Sequence, residues 1–272
     1  MRVSSLARRP KSKIREKGYI NIYSKLTPQE KRQIFYNRRY KKLNPSWDNS
    51  LILLCKTFSF ALDHLAGSKK SVIVLDVGCG HGNYVIDEFR SKITWAAGID
   101  LEKKFTRKNV CLDEIKQASA EKIPYQNEAF DIVLSLWVLE HLKNPDIVIR
   151  EIQRVLKRGG FFIFATPNKN SITLFARRLI KSEKIVFFAN KLLYGRNEKD
   201  IFFTYYKANT IGSLKKLLGE AGFEEIKSTL NYDPGYTSFN ELTFNISNML
   251  NSLFEKIAPH YYKHHILGLA RK

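Results

Sequence analysis

A glycine-rich turn in the first third of the chain has the composition of a ligand-binding loop. An apolar run at residues 72–77, which includes Asp76, leads directly into Gly78, Gly80 and Gly82. Glycines let the backbone approach a ligand closely, and open α/β sheets bind ligands at the carboxyl ends of their strands. The turn is therefore a candidate binding loop. The alternative is a tight strand–helix connection that binds nothing.

The spacing of the glycines separates two classes of ligand. The dinucleotide fingerprint is G-x-G-x-x-G, which opens a helix towards a pyrophosphate. Here the pattern is Gly-x-Gly-x-Gly, and Asp76 stands two residues before the first glycine. A carboxylate at that position would repel a pyrophosphate, but it could organise the loop beside the ammonium of an amino-acid ligand. The loop therefore favours a nucleoside joined to an amino acid over a nucleoside diphosphate.

A second carboxylate, Asp100, ends the next apolar run, at residues 93–99. It follows the glycine turn by about 20 residues, the spacing at which an acidic side chain accepts hydrogen bonds from ribose hydroxyls. The alternative is a helix N-cap before Glu102. The two roles can coexist, because a carboxylate has several acceptor positions.

Further motifs continue through the middle of the chain. They lie at residues 123–136, 138–142, 151–160 and 165–168. In this order, and together with the glycine turn and Asp100, they closely resemble class I S-adenosylmethionine-dependent methyltransferases, in the small-molecule branch (methyltransferase type 11) that includes quinone-biosynthesis C-methyltransferases. The resemblance is dense over residues 70–168. It implies a doubly wound α/β fold with a seven-stranded, mainly parallel, Rossmann-like sheet, a helical N-terminal extension and helical insertions after strands 5 and 6.

The resemblance also implies a cofactor, S-adenosylmethionine, and the residues that bind it. These are Asp76, Gly78, Gly80, Gly82, Asp100, Leu101, Ser119, Ala120, Ser135 and Leu136. The first four would wrap the methionine part, Asp100 would hold the ribose and Leu101 would flank the adenine. Family members often carry Asp where this chain has Ser119, so the hydrogen bond to the adenine amine would lack charge assistance. Ser135 and Leu136 would line the methionine end.

Methyl transfer requires little catalytic machinery beyond alignment of the acceptor with the methyl group. A base is needed only where the acceptor loses a proton as it attacks. His141 is the candidate base, because the resemblance places it after strand 4 and facing the cleft. The alternative is a structural histidine that orients the loop at Glu140. His81, Tyr205 and Tyr206 are lesser candidates.

The segment after strand 4 bears on the methyl acceptor. Enzymes that methylate adenine carry Asn-Pro-Pro-aromatic there, whereas this chain has Ser-Leu-Trp-Val at residues 135–138. Cytosine C5 chemistry needs a nucleophilic cysteine near strands 4 or 5, and Cys55, Cys79 and Cys111 all lie elsewhere. We therefore expect a hydroxyl, carboxyl or carbon acceptor on a small, glycan-linked or lipid-like molecule. An RNA methyltransferase, a non-catalytic cofactor-binding member and a dehydrogenase remain as alternatives.

The formal net charge of +20 on 272 residues is unevenly distributed. Residues 1–42 hold 14 Lys and Arg against 2 acidic residues, and residues 169–199 hold 8 against 2. Such segments suit an anionic partner, which could be nucleic acid, anionic lipid or an acidic substrate. For the first 18 residues, which have the composition of a disordered basic arm, a solvated tail is an equal alternative.

Cysteine use and hydropathy indicate a cytoplasmic protein. The three cysteines form neither a C-x-x-C pair nor a zinc-like cluster, so a disulfide framework and a metal site are not expected. The basic N-terminus has no apolar stretch behind it, which argues against a signal peptide. No run of 18 apolar residues occurs, so no transmembrane segment is expected. Peripheral contact with a membrane stays open.

Residues 27–66 have a helical pattern, which we separate from a methyltransferase domain at 67–272. Thr27, Pro28 and Glu30 form a helix start, and Pro45 breaks the pattern. Tyr36, Arg39 and Tyr40 lie within helical reach of one another. We predict that this block is part of a lid over the cofactor and that a chain starting at Ser68 folds but loses most activity.

The remaining pattern alternates strands with helices, which predicts a mainly parallel sheet covered on both faces. Predicted strands lie at residues 71–77, 93–99, 114–118, 130–136, 161–165, 224–230 and 265–270. Predicted helices follow the glycine turn to residue 90 and lie at residues 144–157 and 209–221.

Two segments carry apolar residues at helical spacing, and in the first of them the apolar residues alternate with basic ones. The first, residues 171–195, carries Arg177, Arg178, Lys181, Lys184 and Lys191 among its apolar residues. The second, residues 239–257, repeats Phe239, Leu242, Ile246, Met249, Leu250, Leu253 and Ile257, and capping-box spacing between Ser238 and Glu241 precedes it. Such helices lie in anionic interfaces. The alternative is that both pack on the core and cover the substrate.

Overall fold

A single mixed sheet organises the chain. The structure, a computed structural model, describes residues 27–67, 71–102, 111–180, 182, 188, 191–194 and 202–272. The strands are β1 Ile73–Val77, β2 Trp95–Asp100, β3 Glu114–Gln117, β4 Phe130–Leu136, β5 Leu156–Pro167, β6 Glu224–Asn231 and β7 His265–Arg271. Their order is β3-β2-β1-β4-β5-β7-β6. The first five strands pair in parallel, and β7 runs antiparallel between β5 and β6. The predicted doubly wound, mainly parallel fold is confirmed.

The central strands are apolar because helices cover both faces of the sheet. In β1, Leu75 pairs with Ala97 of β2 on one side and with Val133 of β4 on the other, and all three residues are buried. Parallel pairing brings the carboxyl ends of β3, β2, β1 and β4 to one edge of the sheet. We call this edge, at which the predicted cofactor residues end their strands, the carboxyl edge.

The helices start and end close to the predicted positions. They are α1 Pro28–Leu43, α2 Ser50–Ala66, α3 Tyr84–Glu88, α4 Pro145–Val155, α5 Ile172–Leu179, α6 Ile211–Glu220 and α7 Glu241–Ile257. The helix start predicted at Thr27 and Pro28 is confirmed. The structure adds a capping box there, since Thr27 and Glu30 each accept a hydrogen bond from the other's backbone N–H. Pro45 lies between α1 and α2, where the break was predicted.

Helix α2 belongs to the core of the sheet. Leu54, Phe58 and Leu62 are buried in the same apolar cluster as Val74 of β1 and Ile163 of β5. The expectation that a chain starting at Ser68 folds stays a prediction, although that chain would leave this cluster uncovered. The boundary after residue 66, where we expect the methyltransferase domain to begin, stays a prediction.

Helix α1 packs at the β6 end of the carboxyl edge. Tyr36 stacks on Phe244 of α7 at 5.1 Å between ring centroids. Tyr40 meets Tyr232, which follows β6, at 5.2 Å, and Arg39 pairs with Glu241. These contacts hold the three predicted lid residues against β6 and α7. The lid role of this block stays a prediction.

Helix α7 differs from its prediction in start and orientation. Its N-cap is Asn240, which forms a capping box with Thr243, and not Ser238 with Glu241. The buried face consists of Phe244, Ser247 and Asn251, whereas the apolar repeat is largely exposed. The basic arm at residues 1–18 and much of 181–201, including Lys181 and Lys184, lie outside the described residues.

Candidate functional site

The glycine turn leaves β1 in conformations that glycine favours. Gly78, Gly80 and Gly82 have φ values of 77°, 46° and 145°. The backbone N–H groups of Gly78 and Cys79 donate to the carbonyl of Ile99 at 2.8 and 3.0 Å, which fixes the turn against the end of β2. A Cβ on Gly78 would collide with Val138, whereas a Cβ on Gly80 would meet nothing within 4 Å. Gly80 therefore borders open space at the carboxyl edge.

Asp100 joins the end of β2 to this turn. Its Oδ2 accepts a hydrogen bond from the N–H of Gly80 at 3.0 Å, and its Oδ1 accepts one from the N–H of Glu102 at 3.0 Å. The carboxylate thus orders the backbone on both sides. The alternative role as a helix N-cap stays a prediction, because residues 103–110 lie outside the described residues. Each carboxylate oxygen retains a second acceptor position for a ligand hydroxyl.

Asp76 is a buried carboxylate beside the turn. Burial is the main cause that raises the pKa of Asp76 to about 7; a hydrogen bond with Asn83 opposes this shift, and the nearby charge of Asp100 adds to it. Asn83 also caps α3 by accepting from the N–H of Val85 at 3.0 Å. A carboxyl group that is costly to ionise in isolation is stabilised by a neighbouring cation. This position therefore suits the ammonium of an amino-acid ligand.

The other predicted cofactor residues lie along the same edge. Leu101, which follows β2, is 67% exposed. Ser119 and Ala120 follow β3, and the Ser119 hydroxyl accepts from the N–H of Glu121 at 3.1 Å. Ser135, near the end of β4, is fully buried, and its hydroxyl has no hydrogen-bond partner in the described part of the chain. Leu136 packs against the core behind it.

These groups fit S-adenosylmethionine. The open space at Gly80 allows close approach of a ligand to the backbone, and Asp76 offers a charge of the right sign. The buried hydroxyl of Ser135 has no hydrogen-bond partner among the described residues, and this costs free energy of folding unless a ligand bonds to it. The groups follow adjacent strands, and β1 and β4 flank the point where strand order reverses, which is where open α/β sheets bind ligands.

Trp137 is strained at the next position along the chain. Its φ of 62° is in the left-handed region, which is unfavourable for a bulky side chain. Its N–H donates to the carbonyl of Ala165 at 2.8 Å, which holds this geometry. The ring is 38% exposed and meets His265 at 4.6 Å. Such strain persists where surrounding structure enforces it, often at ligand sites.

His141 lies in a short 3-10 helix, Leu139–His141, after β4. Its Nδ1 lies 2.7 Å from the carbonyl oxygen of Phe203, so Nδ1 carries a proton. Nε2 is then the basic nitrogen of a neutral ring, and it lies 3.9 Å from Oε1 of Glu140. Glu140 is buried and accepts from the Thr166 hydroxyl at 3.0 Å. This geometry is compatible with a base and with the structural alternative.

With the geometry established, comparison with known proteins identifies the family. A family model described as a methyltransferase domain matches residues 75–164. The sterol 4-C-methyltransferase of Caenorhabditis elegans is 35% identical over 104 residues, which cover 35% of this chain and 30% of that protein. A ubiquinone biosynthesis O-methyltransferase of Nitrosomonas europaea is 31% identical over 117 residues, covering 40% and 49% respectively.

Over residues 75–164, the chain matches the methyltransferase domain of the class I S-adenosylmethionine-dependent methyltransferases. A methyltransferase of this kind from Archaeoglobus fulgidus shares the fold, with a TM-score of 0.53 at 15% identity over 86% of this chain and 99% of that one. S-adenosylmethionine is the methyl donor of the family. The chain spans between 30% and 66% of the length of such curated relatives.

One further side chain at the carboxyl edge was not identified from the sequence. Because β7 is antiparallel, its first residue, His265, reaches the carboxyl edge beside Pro167, the last residue of β5. The Nδ1 of His265 lies 2.8 Å from the hydroxyl of Ser50, and its ring meets Tyr236 at 5.2 Å. Only the position of the last strand in the sheet could have revealed it.

The second histidine of this pair has a structural role. His264 is buried, burial lowers its pKa to about 3, and its Nδ1 accepts from the N–H of Asp233 at 3.1 Å. It is therefore neutral near pH 7. Within the described ranges, neither a cluster of three metal-ligating side chains nor a helix long and apolar enough to cross a bilayer occurs.

Proposed function

We propose that this methyltransferase transfers the methyl group of S-adenosylmethionine to a hydroxyl, carboxyl or carbon atom of a small, glycan-linked or lipid-like acceptor. The observation that carries the proposal is the strained Trp137, whose half-exposed ring stands directly after the predicted cofactor-binding residues Ser135 and Leu136. His265 and Tyr236 extend this aromatic surface. Aromatic rings favour an apolar or planar acceptor.

The protein's own residues would bind the cofactor and orient the acceptor. The glycine turn supplies a close backbone surface, Asp76 supplies negative charge for an ammonium, and Asp100 supplies acceptors for ribose hydroxyls. When bound, S-adenosylmethionine supplies a methyl group on a positively charged sulfur. Trp137 would hold the acceptor on the side of the methyl group opposite the sulfur, and it would exclude water from the site.

His141 would accept a proton when the acceptor is a hydroxyl. The carbonyl of Phe203 orients the ring through Nδ1, which leaves Nε2 as the basic nitrogen. Tyr205 and Tyr206 both donate backbone N–H groups to the carbonyl of Glu140, so the 202–206 segment covers this short helix. The structural alternative for His141 uses the same contacts and is separated from the catalytic role by substitution.

The reaction is tested with the full chain and S-adenosylmethionine carrying a labelled methyl group. An extract of metabolites and lipids is incubated with the protein, and the labelled product is identified by mass spectrometry. Label in a small or lipid-like product supports the proposal. Label only in RNA would replace it with the nucleic-acid alternative, in which the basic segments bind phosphates and affinity falls steeply with salt. Cofactor binding without any labelled product would indicate a non-catalytic member.

The aromatic surface is tested by Trp137→Ala. We expect kcat/KM for the identified acceptor to fall at least tenfold, about 1.4 kcal/mol, while S-adenosylhomocysteine binds with unchanged affinity. Calorimetry with S-adenosylhomocysteine and with NAD separates the methyltransferase from a dehydrogenase. If Trp137→Ala weakened S-adenosylhomocysteine and acceptor equally, the ring would belong to the cofactor side.

An amphiphilic acceptor leads to a proposed location. Cys55, Cys79 and Cys111 are free thiols in the structure, which is consistent with the cytoplasm. Peripheral contact with an anionic membrane would bring a lipid-like acceptor to the site. Of the predicted segment at 171–195, helix α5 exposes Ile172 and Phe175.

A further inference from the structure

Helix α7 carries an apolar stripe on its outward face. Its members are Leu242, Ile246, Met249, Leu253 and Ile257. Successive members are three or four residues apart, which places them on one side of a helix. They are between 45% and 73% exposed. We call this set the α7 stripe.

The opposite face of α7 fixes the helix in this orientation. Phe244 is fully buried. The hydroxyl of Ser247 lies 2.6 Å from that of Tyr232, and the amide of Asn251 donates to the hydroxyl of Tyr40 at 3.1 Å. Rotation of the helix to bury the stripe would break these buried hydrogen bonds, each of which costs more to leave unmade than it contributes when formed. The stripe is therefore held outward.

The negative charges of α7 are neutralised. Glu241 pairs with Arg39 at 2.6 Å, and Glu255 pairs with Lys263 at 2.9 Å. Lys256, beside the last member of the stripe, is exposed. The stripe is thus accompanied by neutral or positive groups on a chain whose formal net charge is +20.

We propose that the α7 stripe seats the protein on an anionic lipid surface. Apolar side chains on one face of a helix bind such a surface by entering the boundary between headgroups and acyl chains, and α7 itself contributes one basic residue, Lys256. Attraction between a strongly basic chain and anionic headgroups adds to this binding. The inference rests on the proposed function in one respect: a lipid-like acceptor gives the contact its purpose.

A second copy of the chain fits the stripe less well. A standard protein interface uses about 20–30 residues a side, whereas the stripe has five members on a single helix. Two copies that each carry a formal net charge of +20 would also repel one another. A lipid surface requires no complementary shape and attracts the same charge.

The position of α7 connects the lipid surface with the acceptor side. The helix lies between β6 and β7 in the chain and packs through Phe244 with Tyr232 and Tyr262, which flank those strands at the carboxyl edge. His265, the first residue of β7, lies three residues after Tyr262 and belongs to the proposed acceptor surface. A membrane bound at the stripe would therefore lie at the end of the protein where the acceptor enters.

The test is flotation of the full chain with vesicles of phosphatidylcholine alone and of phosphatidylcholine mixed with phosphatidylglycerol. We compare the unaltered protein with a double variant, Met249→Gln with Leu253→Gln. The matched control is Leu51→Gln with Ile52→Gln, two exposed apolar residues at the start of α2. The expected result is binding to the anionic vesicles that weakens at least about tenfold in the α7 variant and is unchanged in the control. Circular dichroism verifies that both variants fold.

Equal binding of the α7 variant and the unaltered protein would overturn the proposal, as would a failure to bind anionic vesicles at low salt. A dimer in sedimentation without vesicles, lost in the α7 variant, would assign the stripe to a second copy and also overturn it. S-adenosylhomocysteine affinity and methyl transfer to the identified acceptor in vesicle-free solution are measured in parallel. These readouts test the proposed function separately, because neither requires a vesicle.

Discussion

The N–H of Gly80 donates a hydrogen bond to Oδ2 of Asp100 at 3.0 Å, which ties the turn after β1 to the end of β2. Two strands that are neighbours in the sheet thus share one polar contact at their carboxyl ends. A ligand that bonds to Asp100 also stabilises the turn through this contact. The residues that we propose to bind the methionine and ribose parts of the cofactor are therefore coupled.

The first prediction concerns Asp100 itself. Asp100→Ala should weaken S-adenosylhomocysteine binding by about 1.5–3 kcal/mol, because charge-assisted hydrogen bonds to the ribose are lost. Calorimetry measures the dissociation constant. Asp113→Ala is the matched control, since Asp113 also accepts a backbone N–H, that of Ala96 at 2.8 Å, but near the opposite end of β2. An unchanged dissociation constant in a folded Asp100→Ala protein would remove the ribose assignment.

Gly80 should affect binding more than stability. Gly80→Val places a branched side chain in the open space beside the turn, so we expect a larger loss of S-adenosylhomocysteine affinity than for Asp100→Ala. The left-handed φ costs the folded protein about 1–2 kcal/mol. Gly78→Ala should affect stability more than binding. Its added Cβ would collide with Val138, and this collision should lower the free energy of unfolding. Tight binding by Gly80→Val would show that the cofactor lies elsewhere.

Binding should depend on pH through Asp76. Burial raises the pKa of Asp76 to about 7, against about 3.9 for an ordinary Asp. The native state therefore holds a proton that the unfolded chain has released between these values. The contribution of this group to the free energy of unfolding is present in full below about pH 4 and is lost as the pH rises to about 7.

A ligand ammonium favours the ionised carboxylate, so S-adenosylhomocysteine affinity should rise with pH up to about 7 and then level off. Calorimetry at several pH values measures this dependence. Asp76→Asn should bind weakly at all of these pH values and abolish the rise. Should the variant retain the same rise in affinity, another group would be responsible.

His141→Asn separates the two roles of this residue. Asn can still donate to the carbonyl of Phe203, 2.7 Å from Nδ1 in the structure, but it lacks the basic nitrogen. For a hydroxyl acceptor we expect turnover to fall by about 10²–10⁴, with S-adenosylhomocysteine affinity unchanged, and the acidic limb of the pH–rate profile to disappear. Normal turnover by His141→Asn and loss of folding by His141→Ala would assign the structural role.

Removal of the helix α2 contact with the sheet should destabilise the protein. Phe58 is fully buried among residues of β1 and β5, so Phe58→Ala should lower the free energy of unfolding by about 3–5 kcal/mol. Leu51→Ala, on the exposed side of the same helix, should cost about 1 kcal/mol or less. Denaturant unfolding measures both. Similar small losses would indicate that α2 is peripheral.

The sequence predicted the features that depend on local pattern. The bounds of β4 agree to the residue, because a β-branched and apolar run between turn residues specifies a strand. The capping box of α1 is likewise local, since Thr27 and Glu30 are three residues apart. Asp76 and Asp100 came from motif spacing, which in this fold corresponds directly to strand ends.

The features that were missed depend on distant contacts. The hydrogen bond between Ser50 and His265 joins α2 to β7, and neither segment indicates the other. The orientation of α7 was also inaccessible, because its buried face includes polar Ser247 and Asn251. These side chains are buried only because tyrosines from α1 and from the ends of β6 and β7 meet them there.

The antiparallel strand β7 also governs the order in which the strands of the sheet can pair during folding. It follows β6 in the chain, yet it stands between β5 and β6, and it supplies the pairing of β6 within the described sheet. On a ribosome, β1 to β5 can pair as they emerge, whereas β6 must wait for residues 265–271. Pairing across so long a sequence separation is slow. Until it occurs, the nascent chain presents an open edge of β5 to chaperones and to other nascent chains.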